Sequence, residues 1–181
     1  EAGYDLKKVV FTGFADGMSL LTDDEKERGC LILDIGSSLT EISIFAGGVL
    51  CDIAVIPTGI IDLGGDLKND KVFDDLLNKI QSKKEESSKK WGRLDLIVLT
   101  GGMSYVDGVI ESLEAKLSNP VQVGVAKGLK GDISSVDSLK LTTSIGLVRY
   151  AENRYRNSIS FSRGIIHQVS NKIVDIFNNY F

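Results

Sequence analysis

Two stretches of this 181-residue chain combine glycine with residues that can handle a charged ligand. The first, Asp34-Ile-Gly36-Ser-Ser-Leu-Thr40-Glu-Ile-Ser-Ile-Phe45, sets a carboxylate at the end of an apolar run and follows it with a turn of small residues. Such a hairpin can offer backbone N–H groups to a phosphate, with the carboxylate near enough to hold a hydrated divalent cation. The second, Leu99-Thr-Gly101-Gly102-Met-Ser-Tyr-Val-Asp-Gly108, places two glycines after one apolar run and ahead of another. Glycine lets a ligand approach the backbone, and the N-terminus of a following helix favours an anion. Each pattern also fits an ordinary connection, the first a plain hairpin and the second a strand-to-helix turn, because short glycine patterns are common.

The elements that position these stretches follow from the hydrophobic period. Val9 to Thr12 reads as a short β-rich run, Ala15 to Leu21 as a helix, and Thr22 to Arg28 as a charged loop. Cys30 to Gly36 is almost wholly apolar, as a strand buried on both faces is, and Glu41 to Phe45 alternates. Gly36 to Leu39 must then be the tight turn between them, Gly47-Gly48 a second turn, and Val49 to Ile56 a third strand stopped by Pro57. From there the period switches: Val72, Phe73, Leu76, Leu77 and Ile80 form a helical stripe, and Lys83 to Lys90 reads as a helix end and solvated loop. Leu94 to Thr100 is another buried strand. Val106, Val109, Ile110, Leu113 and Leu117 mark the next helix, closed by Pro120 and a short strand at Val121 to Val123. A polar loop from Gly124 to Asp137 leads to a helical stretch, Leu139 to Tyr155. Three antiparallel strands followed by strand, helix and strand make an α/β domain with a mixed five-stranded sheet and flanking helices.

At 43% hydrophobic and 25% charged the chain supports one well-cored domain with appendages. A net charge of -4 excludes a general nucleic-acid binder, which needs a basic face. Cys30 and Cys51 both sit in apolar strand-like surroundings and read as reduced core residues, with the cytoplasm as the default compartment. No apolar run approaches the ~20 residues that span a bilayer. The chain begins with Glu1 rather than Met, as expected of a piece of something longer.

The far end has a different character. After a polar linker, Arg156 to Arg163, the residues Ile165, Ile166, Val169, Ile173, Ile176, Phe177 and Tyr180 recur every three to four positions, with polar residues opposite. From Ala151 onward Arg154, Arg156, Arg163 and Lys172 outnumber Glu152 and Asp175, four against two, so a tail of +2 is joined to a body of -6. A cationic amphipathic helix on an acidic body suits an anionic membrane surface, at about 1 kcal/mol per basic group. His167, the only histidine, lies beside the apolar face and reads as an interfacial side chain. The other reading of this stripe is packing on the domain's own core or on another subunit.

In this order and separation the two glycine stretches resemble the phosphate-2 and adenosine motifs of the actin, sugar kinase and heat-shock chaperone superfamily. Within it the chain is most similar to the FtsA family of bacterial cell-division proteins. That likeness rests on Leu21-Thr22-Asp-Asp-Glu25-Lys, Val55-Ile-Pro57 and Thr142-Thr-Ser-Ile-Gly146-Leu-Val-Arg-Tyr150. It implies one actin-like (ribonuclease H-like) half over residues 29–155, with residues 1–28 leading in from a first domain, 156–163 as linker and 164–181 as a membrane-targeting helix. It further implies ATP and Mg2+ as cofactors of the full-length protein. Asp34 would hold the metal through water, Gly36, Ser37, Ser38 and Thr40 the phosphates, and Gly101, Gly102 and Met103 the adenine side. Ser37, Ser38 and Leu39 stand where the family usually has Gly, Gly and Thr, and Met103 where it has a third glycine. Gly64 to Asp95 is much shorter than expected and resembles the family's second domain with its outer subdomain removed. FtsZ, whose tail that subdomain docks in the family, is therefore not expected as a partner. The resemblance implies a membrane-associated scaffold at the division site, on the cytoplasmic face of the inner membrane. It would self-associate and recruit divisome proteins, with weak ATPase activity at most and none from this chain alone. An ATP-dependent kinase or hydrolase of the same superfamily and a pilus-assembly actin homologue are the alternatives.

Overall fold

The computed structural model of the chain describes residues 3, 5–6, 8–64, 67, 70–128 and 139–155. They fall in two compact units, Glu1–Leu147 and Val148–Phe181. The first is built on one sheet of β1 (Cys30–Ile35), β2 (Thr40–Ala46), β3 (Val49–Ile56), β4 (Leu96–Thr100) and β5 (Val121–Val123), in the order β3-β2-β1-β4-β5. The sheet is mixed, as expected. β2 pairs antiparallel with β1 and β3, while β4 runs parallel to β1 and to β5. β1 takes the centre because Cys-Leu-Ile-Leu-Asp-Ile can be buried on both faces, and only Asp34 of its six residues retains partial exposure.

Alternation along β1 separates two cores. Leu31, Leu33 and Ile35 join the larger one, under α3 (Lys71–Trp91) and α4 (Val109–Leu117), with Phe73, Leu76, Ile80 and Leu113 from those helices. Cys30 and Ile32 face the smaller one, with Leu20, Leu21, Phe45 and Val98, beneath α1 (Thr12–Leu20). α1 lies hard against β2. A Cβ on Gly13 would stand 1.8 Å from Ser43 Oγ, and one on Gly17 would stand 2.1 Å from a Phe45 ring carbon. Two glycines one turn apart are what permit this approach.

Several elements differ from expectation. Residues 8–11 are irregular and Thr12 opens α1, so the expected β-rich run from Val9 to Thr12 forms no strand. The charged stretch after Thr22 is a short helix, α2 (Asp23–Arg28), nucleated by a capping box in which Thr22 and Glu25 satisfy each other's backbone N–H. α3 continues through Lys83 to Lys90 and ends at Trp91, before Gly92 at φ 93°. Its polar second half is tied to β3 through Asp52, which accepts from Lys83 at 2.9 Å and from Ser87 at 3.1 Å. β4 starts at Leu96, not Leu94, and the helix expected from Val106 divides into a 3-10 turn, Gly102–Tyr105, and α4.

Both cysteines are free, and burial pushes the Cys30 thiol up to about 12. Residues 142–147 are helical. In the second unit residues 148–155 are helical, with Arg154 donating to the Tyr150 hydroxyl at 3.3 Å. The expected linker at 156–163 and amphipathic helix at 164–181 lie outside the described residues. No helix among the described residues is long and apolar enough to cross a membrane.

Candidate functional site

The parallel register sets Asp34 of β1 beside Thr100 of β4. The two glycine bends therefore emerge at neighbouring carboxyl ends of the sheet, the edge where open α/β sheets bind ligands. They touch. Gly101 has φ 82°, and a Cβ there would lie 2.2 Å from Asp34 Oδ1 and 2.5 Å from the Ile35 carbonyl oxygen. Backbone sign and space both require glycine. The second bend is then held shut by Ser104, whose hydroxyl donates to the Gly101 carbonyl at 2.6 Å.

The first bend is closed by the Gly36 N–H donating to the Leu39 carbonyl at 2.9 Å. It is braced from the segment after β3, where Ile60 and Ile61 donate their N–H groups to the Gly36 and Ser37 carbonyls at 3.0 and 2.9 Å. Gly59 fits beneath it, since a Cβ there would stand 2.5 Å from both Ser37 C and Ser38 N. Ser37 and Ser38 are exposed at the tip with their hydroxyls 3.4 Å apart. Among the described residues no backbone carbonyl accepts from the N–H of either. Gly102 is exposed beside Ile60, so the side chain of Ile60 spans from one bend to the other. Thr40 and Met103 have no exposed surface. Thr40 donates to the Thr58 carbonyl at 2.8 Å, and Met103 belongs to the larger core.

Around Asp34 lies a group of acids not singled out from sequence. Glu41 is its register partner on β2, and the Thr12 hydroxyl bonds both Glu41 carboxylate oxygens at 2.8 and 2.7 Å. Asp16, on α1, is fully buried. Burial raises the pKa of Asp34 above the usual carboxylate range, with repulsion from Glu41 adding to it. Burial also pushes Asp16 up to about 7, opposed by a hydrogen bond from Thr143 and reinforced by Asp34 and Glu41. The signal that could have found Asp16 is an acid in the midst of Gly13-Phe-Ala-Asp16-Gly17-Met, with no basic residue on the same helix.

Exposed residues at both bends, Ser37 and Ser38 on one and Gly102 on the other, are what a nucleotide phosphate and base edge would require. Among the described residues no three acidic, histidine or cysteine side chains converge to hold a metal ion by themselves. A cation at Asp34 would therefore complete its shell with water and phosphate oxygens.

A five-stranded sheet in this order, with both bends at one end of its two central strands, defines half of an actin-like fold. No protein-family model matches the chain. The cell-division protein FtsA of Pseudomonas aeruginosa is 26% identical over 216 residues, covering 88% of this chain and 51% of that protein. Among solved structures, MreB5 of Spiroplasma citri bound to ADP has a TM-score of 0.55 at 14% identity, covering 86% of this chain and 63% of that one. The PilM-PilN type IV pilus biogenesis complex gives 0.54 at 17% identity, covering 69% and 46%. At these identities the likeness to the solved structures is one of fold. The chain is an FtsA-like protein of actin fold, and it spans about half the length of the curated relatives it matches.

Proposed function

We propose that this chain is the second half of an actin-like scaffold of bacterial cell division, attached peripherally to the cytoplasmic face of the inner membrane. Nucleotide acts in it as a conformational ligand. The supporting observation is the contact between the two bends, where the absent Cβ of Gly101 would stand 2.2 Å from Asp34 Oδ1. The backbone N–H groups of the exposed Ser37 and Ser38 would hold phosphate oxygens, and the backbone of Gly101 and Gly102 would line the adenine side. Thr40 and Met103, both buried, position these two bends from beneath. Asp34 would hold a hydrated Mg2+ through water. When bound, that ion neutralises phosphate charge; the protein's part is to fix the turn geometry and exclude bulk at Gly101.

The missing outer subdomain has support in the match to the P. aeruginosa protein. Its 216 aligned positions take up 88% of 181 residues, about 159, so about 57 positions of the relative have no counterpart here. Recruitment of division proteins then falls to surfaces other than that subdomain.

Mg-ATP titration of the chain by calorimetry tests the cleft. Half a cleft should bind weakly, with a Kd of 0.1 mM or above on the order-of-magnitude scale of a partly enclosed ligand, and Ser38→Pro should abolish the signal. Nanomolar binding would contradict the reading. Co-sedimentation with anionic vesicles, with and without residues 164–181, tests attachment: binding is expected only with that segment. A kinase or hydrolase of the same fold would bind in neither case.

A further inference from the structure

We propose that residues 58–63, part of the connection between β3 and α3, are the positioning element of the first bend: they aim the Ser37 and Ser38 N–H groups at one anion and respond to its arrival. The inference rests on the reading of those two N–H groups as phosphate ligands. Within a planar trans peptide, the carbonyl of one residue and the N–H of the next point in opposite directions. The Gly36 carbonyl accepts from the Ile60 N–H at 3.0 Å, and the Ser37 carbonyl accepts from the Ile61 N–H at 2.9 Å. Both carbonyls are thereby turned toward residues 60 and 61. The N–H groups of Ser37 and Ser38, which share those two peptides, are turned away. Two neighbouring donors aimed to one side are what a phosphate group takes.

The segment is held in place by bonds that do not involve the serines. At its start the Thr58 carbonyl accepts from the Thr40 hydroxyl at 2.8 Å. The Asp62 carboxylate accepts from the Gly59 N–H at 2.8 Å and closes the one-turn helix Ile60–Asp62. Ile60 and Leu63 pack on the larger core. Just beyond, the Gly64 N–H donates to one carboxylate oxygen of Asp70, whose other oxygen accepts from Val72 and Phe73 in the first turn of α3. A segment anchored on the core and on α3 imposes its geometry on an exposed tip. The coupling runs both ways. An anion on the Ser37 and Ser38 N–H groups polarises the same two peptides and strengthens the bonds on their far sides, while opening of residues 60 and 61 frees both peptides and disperses the donors.

The test uses the full chain and inorganic tripolyphosphate, read by amide NMR and hydrogen exchange. The Ser37 and Ser38 amide signals should shift on titration, and those of Ile60 and Ile61, on the side away from the anion, should follow the same saturation curve. Because opening of the segment abolishes binding, the probe at about ten times its Kd should raise exchange protection at Ile60 and Ile61 about tenfold. Ile60→Pro removes one of the two bracing N–H groups and suits the backbone, since Ile60 opens a 3-10 turn and Gly59 before it is extended at φ -141° and ψ -167°. It should weaken tripolyphosphate binding about tenfold, whereas Ile60→Val, which keeps the N–H, should stay within about twofold of the unaltered chain. Silent Ile60 and Ile61 amides beside shifting serines would overturn the inference and leave the phosphate reading standing. Silent serines at millimolar probe would overturn both. Equal weakening in the two variants would overturn the inference as well. If Ile60→Pro fails to fold, the amide shifts of the unaltered chain decide alone.

Discussion

The two faces of the sheet are built on opposite principles. The face under α3 and α4 is a continuous apolar core in which Leu31, Leu33, Ile42, Phe73 and Leu113 are all but fully buried. The face under α1 begins as a small apolar core near Leu20 and Phe45 and turns polar toward the carboxyl end, where Asp16, Ser43 and Thr100 are buried beside the partly exposed Asp34 and Glu41. One face supplies stability through burial; the other holds carboxylates and unpaired polar atoms, Asp16 Oδ2 and Thr100 Oγ1, at the end where the bends lie. Folding free energy stored on the first face sustains the unfavourable groups on the second.

Truncation on the apolar face should therefore have the largest effect. Phe73→Ala removes a ring that is 1% exposed and should cost about 3–5 kcal/mol in urea unfolding, with no dependence on pH. The acidic face should show the opposite signature. Burial pushes the Asp16 carboxyl up to about 7 in the folded chain from its ordinary 3.8. Its folded-state value is raised, so its contribution is present below about pH 4 and is lost as pH rises toward 7, after which it is constant. The stability difference between Asp16→Asn and the unaltered chain should grow over that window to at most about 4 kcal/mol in favour of the variant. Glu25, Asp52 and Asp70, all held below the usual carboxylate range, titrate in the other direction, which is why the difference and not the raw profile is read. A flat difference would erase the distinction between the faces.

Smaller effects sharpen the comparison. Asp70 caps α3, accepting from Val72 and Phe73 at 2.8 and 3.2 Å. Asp70→Ala should cost about 1 kcal/mol by thermal unfolding. The pair of Lys127 and Glu25 joins α2 to the segment after β5 near the surface. Lys127→Ala should change stability by less than about 1 kcal/mol, and less again in high salt.

Most of the sheet was legible because β1 announces itself as an apolar run, β2 by its alternation and β3 by Gly47-Gly48 and Pro57 that bound it. The two bends were legible because glycine after a strand has few other uses. What the sequence hid depends on partners distant along the chain. The second half of α3 reads as loop because only Ser87 on it is buried, and the tether that keeps it helical is Asp52, some thirty residues upstream. Residues 9–12 have the composition of a strand, yet 9–11 form none and Thr12 opens α1. Asp16 looks like a surface acid until Gly13 and Gly17 bring α1 onto β2 and Gly146 brings a second helix onto α1.

β1 is the strand at which the sheet changes from antiparallel to parallel pairing. β2 and β3 follow it at once through short turns, whereas β4 arrives only after a gap of sixty residues from Ile35 to Leu96. Contacts of high sequence separation close late, because the intervening chain must first surrender its freedom. During synthesis the Ser37-Ser38 tip would thus emerge and fold into its meander well before Gly101 exists to meet it. Contact between the two bends is in this sense a checkpoint on completed assembly: a chain stalled before residue 96 can own the Ser37-Ser38 turn and still have nothing to close against.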